Sequence, residues 1–151
     1  MSVAILRAAI KTAIESVASV GVVTDYEPYV RTEAEIKIFF QVAEATQLLG
    51  WTVTRERTEE RDSSTGLDMD QHLMVLRGYA AVNANAASEK AFQDLIETVR
   101  ARLRQERVNG FGGQFNVHPP NVRTVEARLL SGVLVHYCEI TLPCDELVAV
   151  P

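Results

Sequence analysis

"VLRGYAAVNANAASEKAFQDL", residues 75–95, passes from an apolar run through small residues and Asn into an amphipathic pattern, and its reading decides the fold. Residues 71–82, "QHLMVLRGYAAV", read as a strand. Ser88 then reads as the N-cap of a helix with Glu89 in its first turn, and Phe92, Leu95, Ile96, Val99 and Leu103 recur along one face. Between them Gly78, Ala80, Ala81 and Ala84 leave room for a ligand to reach the backbone. No phosphate-binding Lys, Ser or Thr signature follows, and the Asn residues suit a turn. The joint reads as a connector, whose small residues also leave space for a neighbouring subunit.

Upstream, "WTVTRERTEE" at 51–60 alternates with period two, and "RDSSTGLDMD" at 61–70 has the composition of a loop. Together with 71–82 they predict a long antiparallel hairpin with a mobile tip. Val3, Leu6, Ile10, Ala13, Ile14 and Val17 form the stripe of an amphipathic helix ending near Gly21. Thr32 and Glu35 fit a capping box, which predicts a second helix from about Glu33 to before Gly50, with "IKIFF" also readable as a short strand. Downstream, "NG" at 109–110 ends the long helix and "NGFGGQFNVHPP" is loop. "VRTVEARLLSG" and "VLVHYCEITLPC" are two strands joined around Ser131 and Gly132. The order α-α-β-β-α-β-β predicts an α+β fold: a mostly antiparallel sheet of about four strands with helices packed on one face. With no internal repeat and no linker, residues 1–151 read as a single domain.

The bulk numbers narrow the function. The chain is 47% hydrophobic and 23% charged, an ordinary globular balance. Fifteen basic residues scattered among 20 acidic ones, for a net charge of −5, exclude a global electrostatic footprint for nucleic acid. The densest basic cluster, Arg100, Arg102, Arg104 and Arg107, is broken by Glu106 and reads as a solvated helix end, with an acidic partner surface as the alternative. Cys138 and Cys144 lie roughly 20 Å apart if they share one strand, beyond disulfide reach, which favours a reducing compartment. The N-terminal apolar run is interrupted by Lys11 and Glu15, so it reads as neither a signal peptide nor a membrane span, and the protein as cytosolic at synthesis.

Candidate chemistry is sparse. His72, His118 and His136 show no metal-ligand spacing with Cys or a carboxylate. His136 and Cys138, two apart on a strand, share a face, so a small hydrolase built on a thiol–imidazole pair is one candidate, with simple packing the commoner outcome. "GFGG" at 110–113 follows a helix and precedes a strand, the reverse of a phosphate-cradling context. Asp62, Asp68 and Asp70 lack calcium-loop spacing, and "HPP" at 118–120 reads as a turn.

The segments "GVVTDYEPYV", "GWTVTRERT", "HLMVLRGYAAVNANAASEKAFQDLIETVRARLR" and "RLLSGVLVHYCEITL" resemble, in that order, a family of small prophage and phage proteins from long-tailed bacteriophages, similar to tail terminator (tail completion) proteins. The resemblance departs in the hairpin tip and in "NGFGGQFNVHPP". It implies a structural virion protein rather than an enzyme, one that forms a ring, hexameric in such proteins, that caps the tail tube, stops its polymerisation and joins the tail to the head connector. Implied partners are further copies of the chain, the tail tube protein and the head–tail connector protein. DNA would pass through the lumen without specific binding, which an acidic chain suits. The implied location is the tail or neck of the virion, reached from the host cytoplasm, with no membrane contact. No catalytic, metal-binding or cofactor-binding residue is implied. A head completion or stopper protein is the alternative within the virion. A regulatory module using Arg100, Arg102 and Arg104 is an alternative outside it. Because loops carry contacts, the expected interface is the hairpin tip (Asp62, Ser63, Ser64, Thr65, Gly66, Leu67, Asp68 and Asp70) and the loop Asn109, Gly110, Phe111, Gly112 and Gly113.

Overall fold

A computed structural model describes residues 2–29, 32–42, 47–83 and 87–150. In chain order its elements are α1 (Ser2–Glu15), β1 (Val22–Thr24), α2 (Glu33–Phe40), β2 (Gln41–Val42), β3 (Gln47–Ser64), β4 (Leu67–Ala81), α3 (Ser88–Gly113), β5 (Asn116–Val117), β6 (Asn121–Leu130) and β7 (Val133–Ala149). The seven strands form one sheet in which β1, β3, β4, β7 and β5 are successive neighbours, with β2 also bordering β3 and β6 also bordering β7.

This corrects the expected α-α-β-β-α-β-β order and its four-strand sheet. Strand outweighs helix, 47% against 34%. The sheet is mixed, because β1 runs parallel to β3 with Val22 beside Gly50. The additional strands β1, β2 and β5 span three, two and two residues, too short for period two to show in sequence.

Helices cover both faces, not one. On the first face, Leu6, Ile10 and Ile14 of α1 and Phe92, Ile96, Val99 and Leu103 of α3 are buried in one cluster with Trp51, Met74, Leu76, Cys138 and Ile140. Each such side chain contributes about 1.5–3 kcal/mol when fully buried, which sets these two amphipathic helices on the sheet. On the second face, Ile36 and Phe40 of α2 pack with Tyr79, Val135 and Tyr137. Phe40 stacks on Tyr79 with ring centroids 5.2 Å apart. A Cβ at Gly50 would stand 1.9 Å from a Phe40 ring carbon, so glycine is what lets α2 lie this close to β3.

The helix ends differ from expectation in informative ways. Thr32 Oγ1 does accept from the Glu35 N–H at 3.2 Å, but α2 stops at Phe40 because the following residues enter the sheet, Leu49 pairing with Ala80. Helix α1 stops at Glu15, while Val17 and Val20 beyond it stay in the core. Ser88 is not the N-cap of α3. Ala87 holds that place in the left-handed region at φ 50° without a side-chain cap. The Ser88 hydroxyl instead accepts from the Asn83 N–H and bonds His136 Nε2, both at 2.8 Å. Ala84, in the connector, lies outside the described residues. At the far end Gly110, Phe111 and Gly112 all have positive φ, so regular helix stops at Asn109, as "NG" leads one to expect.

Residues 61–70 are not a loop. The β3–β4 ladder continues through Asp62–Asp68 and Ser64–Leu67, leaving only Thr65 and Gly66 in the turn. The physical reason is a third strand. Strand β7 continues past Pro143 to Ala149 and pairs with β4 as far as Leu67, so the polar residues of the hairpin gain backbone partners on both sides of β4. Pro143 is tolerated because the His118 N–H donates to its carbonyl at 2.9 Å. The proline's missing N–H therefore faces the gap between β5 and β6, where no ladder bond is lost. The result is a three-stranded arm made of the distal parts of β3, β4 and β7. The sheet also curls. Arg123 on β6 donates to Glu139 on β7 and to Glu56 on β3, reaching across two strands, and a bulge between Arg55 and Arg57 accommodates the bend. Among the described residues no helix is long and apolar enough to cross a membrane.

Candidate functional site

The base of the arm and the end of α3 enclose a cleft of about 700 Å³. Asn109, Gly110 and Gly113 line it from the helix end, and Met69, Glu146 and Leu147 line it from the arm. Of the expected contact residues, Asn109, Gly110 and Gly113 border this concavity, and none of the named hairpin-tip residues lines it. Glu106 shapes its helical wall: this buried carboxylate accepts from the Phe111 N–H and from Arg102, each at 2.9 Å, and so holds the left-handed turn against the helix. Phe111 itself is half-buried and packs against the main core. Gly112 is exposed.

The tip residues lie elsewhere on the arm. Asp62, Ser64, Thr65, Gly66 and Asp68 surround a separate hollow with Val150, whose N–H donates to the Gly66 carbonyl at 2.9 Å. Ser63 lies in β3, and Leu67 and Asp70 begin β4. Two residues absent from the sequence reading dominate the cleft's apolar rim: Val108 is 90% exposed and Leu147 62% exposed. Val108 could have been noticed as a β-branched residue off the apolar stripe of α3. Leu147 lies beyond the residues that period two marked as strand.

Strand pairing also gathers polar groups at the base of the arm. Asp70 and His72 are two apart on β4, Glu146 lies opposite Asp70 on β7, and Thr58 lies opposite His72 on β3. All four therefore share a face. His72 is buried, with Nε2 2.8 Å from Glu146 Oε1 and Nδ1 2.8 Å from Thr58 Oγ1. The surroundings are acidic: a hydrogen bond to Asp68, together with the charges of Asp68, Asp70 and Asp62, pushes the Glu60 carboxyl up from its ordinary value.

A second apolar patch lies at the other end of β7. Leu129 on β6 pairs with Leu134 on β7, and both are exposed, at 69% and 49%. Val125, on the same face of β6, is exposed too. The outer edge of β6 has no strand partner among the described residues.

The other sequence candidates assemble less. His136 and Cys138 do share a face, but His136 Nε2 is engaged by Ser88 and the ring stacks on Phe92 at 5.9 Å. Burial pushes the Cys138 and Cys144 thiols up to about 12, which leaves very little thiolate. Both cysteines are free and lie on β7. Of the arginine cluster, Arg100 pairs with Glu97 and Arg102 with Glu106, while Arg104 and Arg107 are exposed. The connector of the opening stretch borders a mainly apolar hollow of about 390 Å³ with Leu49, Ala80, Ala81 and Leu95 on its walls. His118 Nε2 lies 2.6 Å from Asp145 Oδ2, which ties the "HPP" segment to β7. Strand alternation and cross-strand pairing bring His72 within reach of two carboxylates, Asp70 and Glu146, a grouping that spacing along the chain does not display. No family model matches the chain, and no curated protein matches it either.

Proposed function

We propose that the protein is a self-assembling structural component of a phage tail, a terminator whose copies join head to tail in a ring on the end of the tail tube. The observation that carries this reading is the pair of dissimilar apolar patches. Leu129 and Leu134 stand at one end of β7, and Leu147 with Val108 stands near the other. Leu147 lies thirteen positions beyond Leu134 along the strand, or roughly 40 Å. Two unlike patches so far apart favour a heterologous contact, one patch of each copy meeting the other patch of the next, and such contacts close into rings when the rotation allows. The unpaired edge of β6 adds a backbone surface to the first patch. The family resemblance supplies the setting and the number six, with the tail tube and the head connector as the ring's two neighbours.

The test uses two variants, Leu134→Asp and Leu147→Asp, and light scattering across a concentration series with and without tail tubes. The wild type is expected to form a hexamer alone or on tubes, and each variant to stay monomeric. Mixed together, the two variants should form only a heterodimer, because one intact patch of each kind remains. A wild type that stays monomeric and ignores tubes refutes the proposal. In particles lacking the protein, overlong tails are expected; normal-length tails without heads would instead make it a head-side stopper.

A further inference from the structure

We propose that Asp70, His72 and Glu146 form a binding site for one divalent transition-metal ion of the zinc class at the base of the arm. One ligand atom from each of the three lies within 4.8 Å of the others, so side-chain shifts of about 1 Å bring them to the roughly 3.3–3.6 Å separations of a tetrahedral ion with bonds of about 2.0–2.2 Å. The site is built by the sheet rather than by flexible loops. Asp70 and His72 project from one face of β4, and Glu146 stands across from Asp70 on β7. His72 is buried, while Glu146 lines the open cleft beside α3, so an ion and its remaining water ligands have a way in.

Thr58 completes the design. A metal-bound histidine is held by a hydrogen bond at its other nitrogen, which sets the tautomer. Here Nδ1 lies 2.8 Å from Thr58 Oγ1, leaving Nε2 directed at Glu146. In the structure the ring bridges Thr58 Oγ1 and Glu146 Oε1 through its two nitrogens. With metal, the proton resides on Nδ1, the Thr58 hydroxyl becomes the acceptor, and the Nε2 lone pair binds the ion. An imidazole nitrogen among the ligands selects zinc, cobalt or nickel over magnesium and calcium, which prefer all-oxygen sets.

The experiment takes the untagged full chain, stripped with chelator, and titrates it with Zn²⁺ by calorimetry at pH 7, with thermal unfolding in parallel. One equivalent is expected to bind. At a free concentration a hundred times Kd, Tm should rise by roughly 5–10 °C. Asp70→Asn and Glu146→Gln alter partly exposed side chains and should still fold; each is expected to weaken Zn²⁺ at least tenfold. Thr58→Val should weaken it about 10–100-fold through loss of ring orientation. His118→Ala should leave binding unchanged, which separates this site from the His118–Asp145 pair. Absence of binding, binding that survives both carboxylate variants, or Mg²⁺ binding as tightly as Zn²⁺ would each overturn the proposal.

Discussion

Alanine at position 78 is the most direct probe of how the sheet meets its helical layer. A Cβ there would lie 2.8 Å from Trp51 Cη2, 2.9 Å from Cys138 Sγ and 2.9 Å from Trp51 Cζ3. Both neighbours are fully buried, so neither has solvent into which to retreat. Forcing a methyl into a packed interior costs about 1–3 kcal/mol. Replacing glycine with alanine returns about 0.4–1 kcal/mol by restricting the unfolded chain. The net expectation for Gly78→Ala is a loss of about 1–2 kcal/mol, or a Tm lower by roughly 2–8 °C for a chain of this size. Urea unfolding followed by far-ultraviolet circular dichroism measures it, with the m-value expected unchanged. Trp51→Phe removes the two offending ring atoms, so the same substitution made in that background should cost less, with a coupling of at least about 0.5 kcal/mol. A Gly78→Ala protein as stable as wild type, or an equal cost in both backgrounds, refutes the close approach of the indole to the strand.

Two further outcomes follow from named contacts. Glu106→Ala leaves the Phe111 N–H without its acceptor and should destabilise the chain by about 1–3 kcal/mol, while amide exchange at Gly110–Gly113 accelerates; unchanged exchange there would count against its role as a cap. Burial pushes the Glu139 carboxyl up, but the Tyr137 hydroxyl and Arg123, with help from Arg77, outweigh it and hold the group below its ordinary 4.5. A carboxyl depressed on folding stabilises fully above its unfolded value and loses that contribution as pH falls through the folded value. Glu139→Gln should therefore be less stable at pH 7 and lose less on acidification below about pH 4.5. A parallel acid profile for the two proteins would show that the carboxylate plays no such part.

The parts of the fold legible in sequence are those whose signals are local. Phe92, Ile96, Val99 and Leu103 repeat at helical spacing and do face the core, as do Leu6, Ile10 and Ile14. The two-residue turn at Ser131–Gly132 is likewise written in its own residues, with Leu130 paired to Val133. Illegible features depend on distant partners. Residues 61–70 carry the Ser, Gly and Asp of a loop, yet become ladder because residues 144–149 lie alongside them. Phe40 ends α2 where Gly50 and Tyr79 receive its ring, and neither is within helical reach in sequence. The site divides in the same way. "DQH" at 70–72 already places an acid and an imidazole on one strand face, but Glu146 lies 74 residues from His72 and only pairing brings it there.

The position of β7 has a consequence for synthesis. It is the last of the seven strands in chain order, yet it lies between β4 on one side and β5 and β6 on the other. As the polypeptide leaves the ribosome, β3 and β4 can already close their hairpin, whereas β5 and β6 have nothing to pair with until residues 133–149 emerge. The apolar face of α3 must wait as well, since Cys138, Ile140 and Leu142 form part of the surface it covers. Completion of the sheet is therefore coupled to the end of translation of this segment, and a nascent chain stalled before Val133 would expose the edge of β4 to any extended peptide nearby.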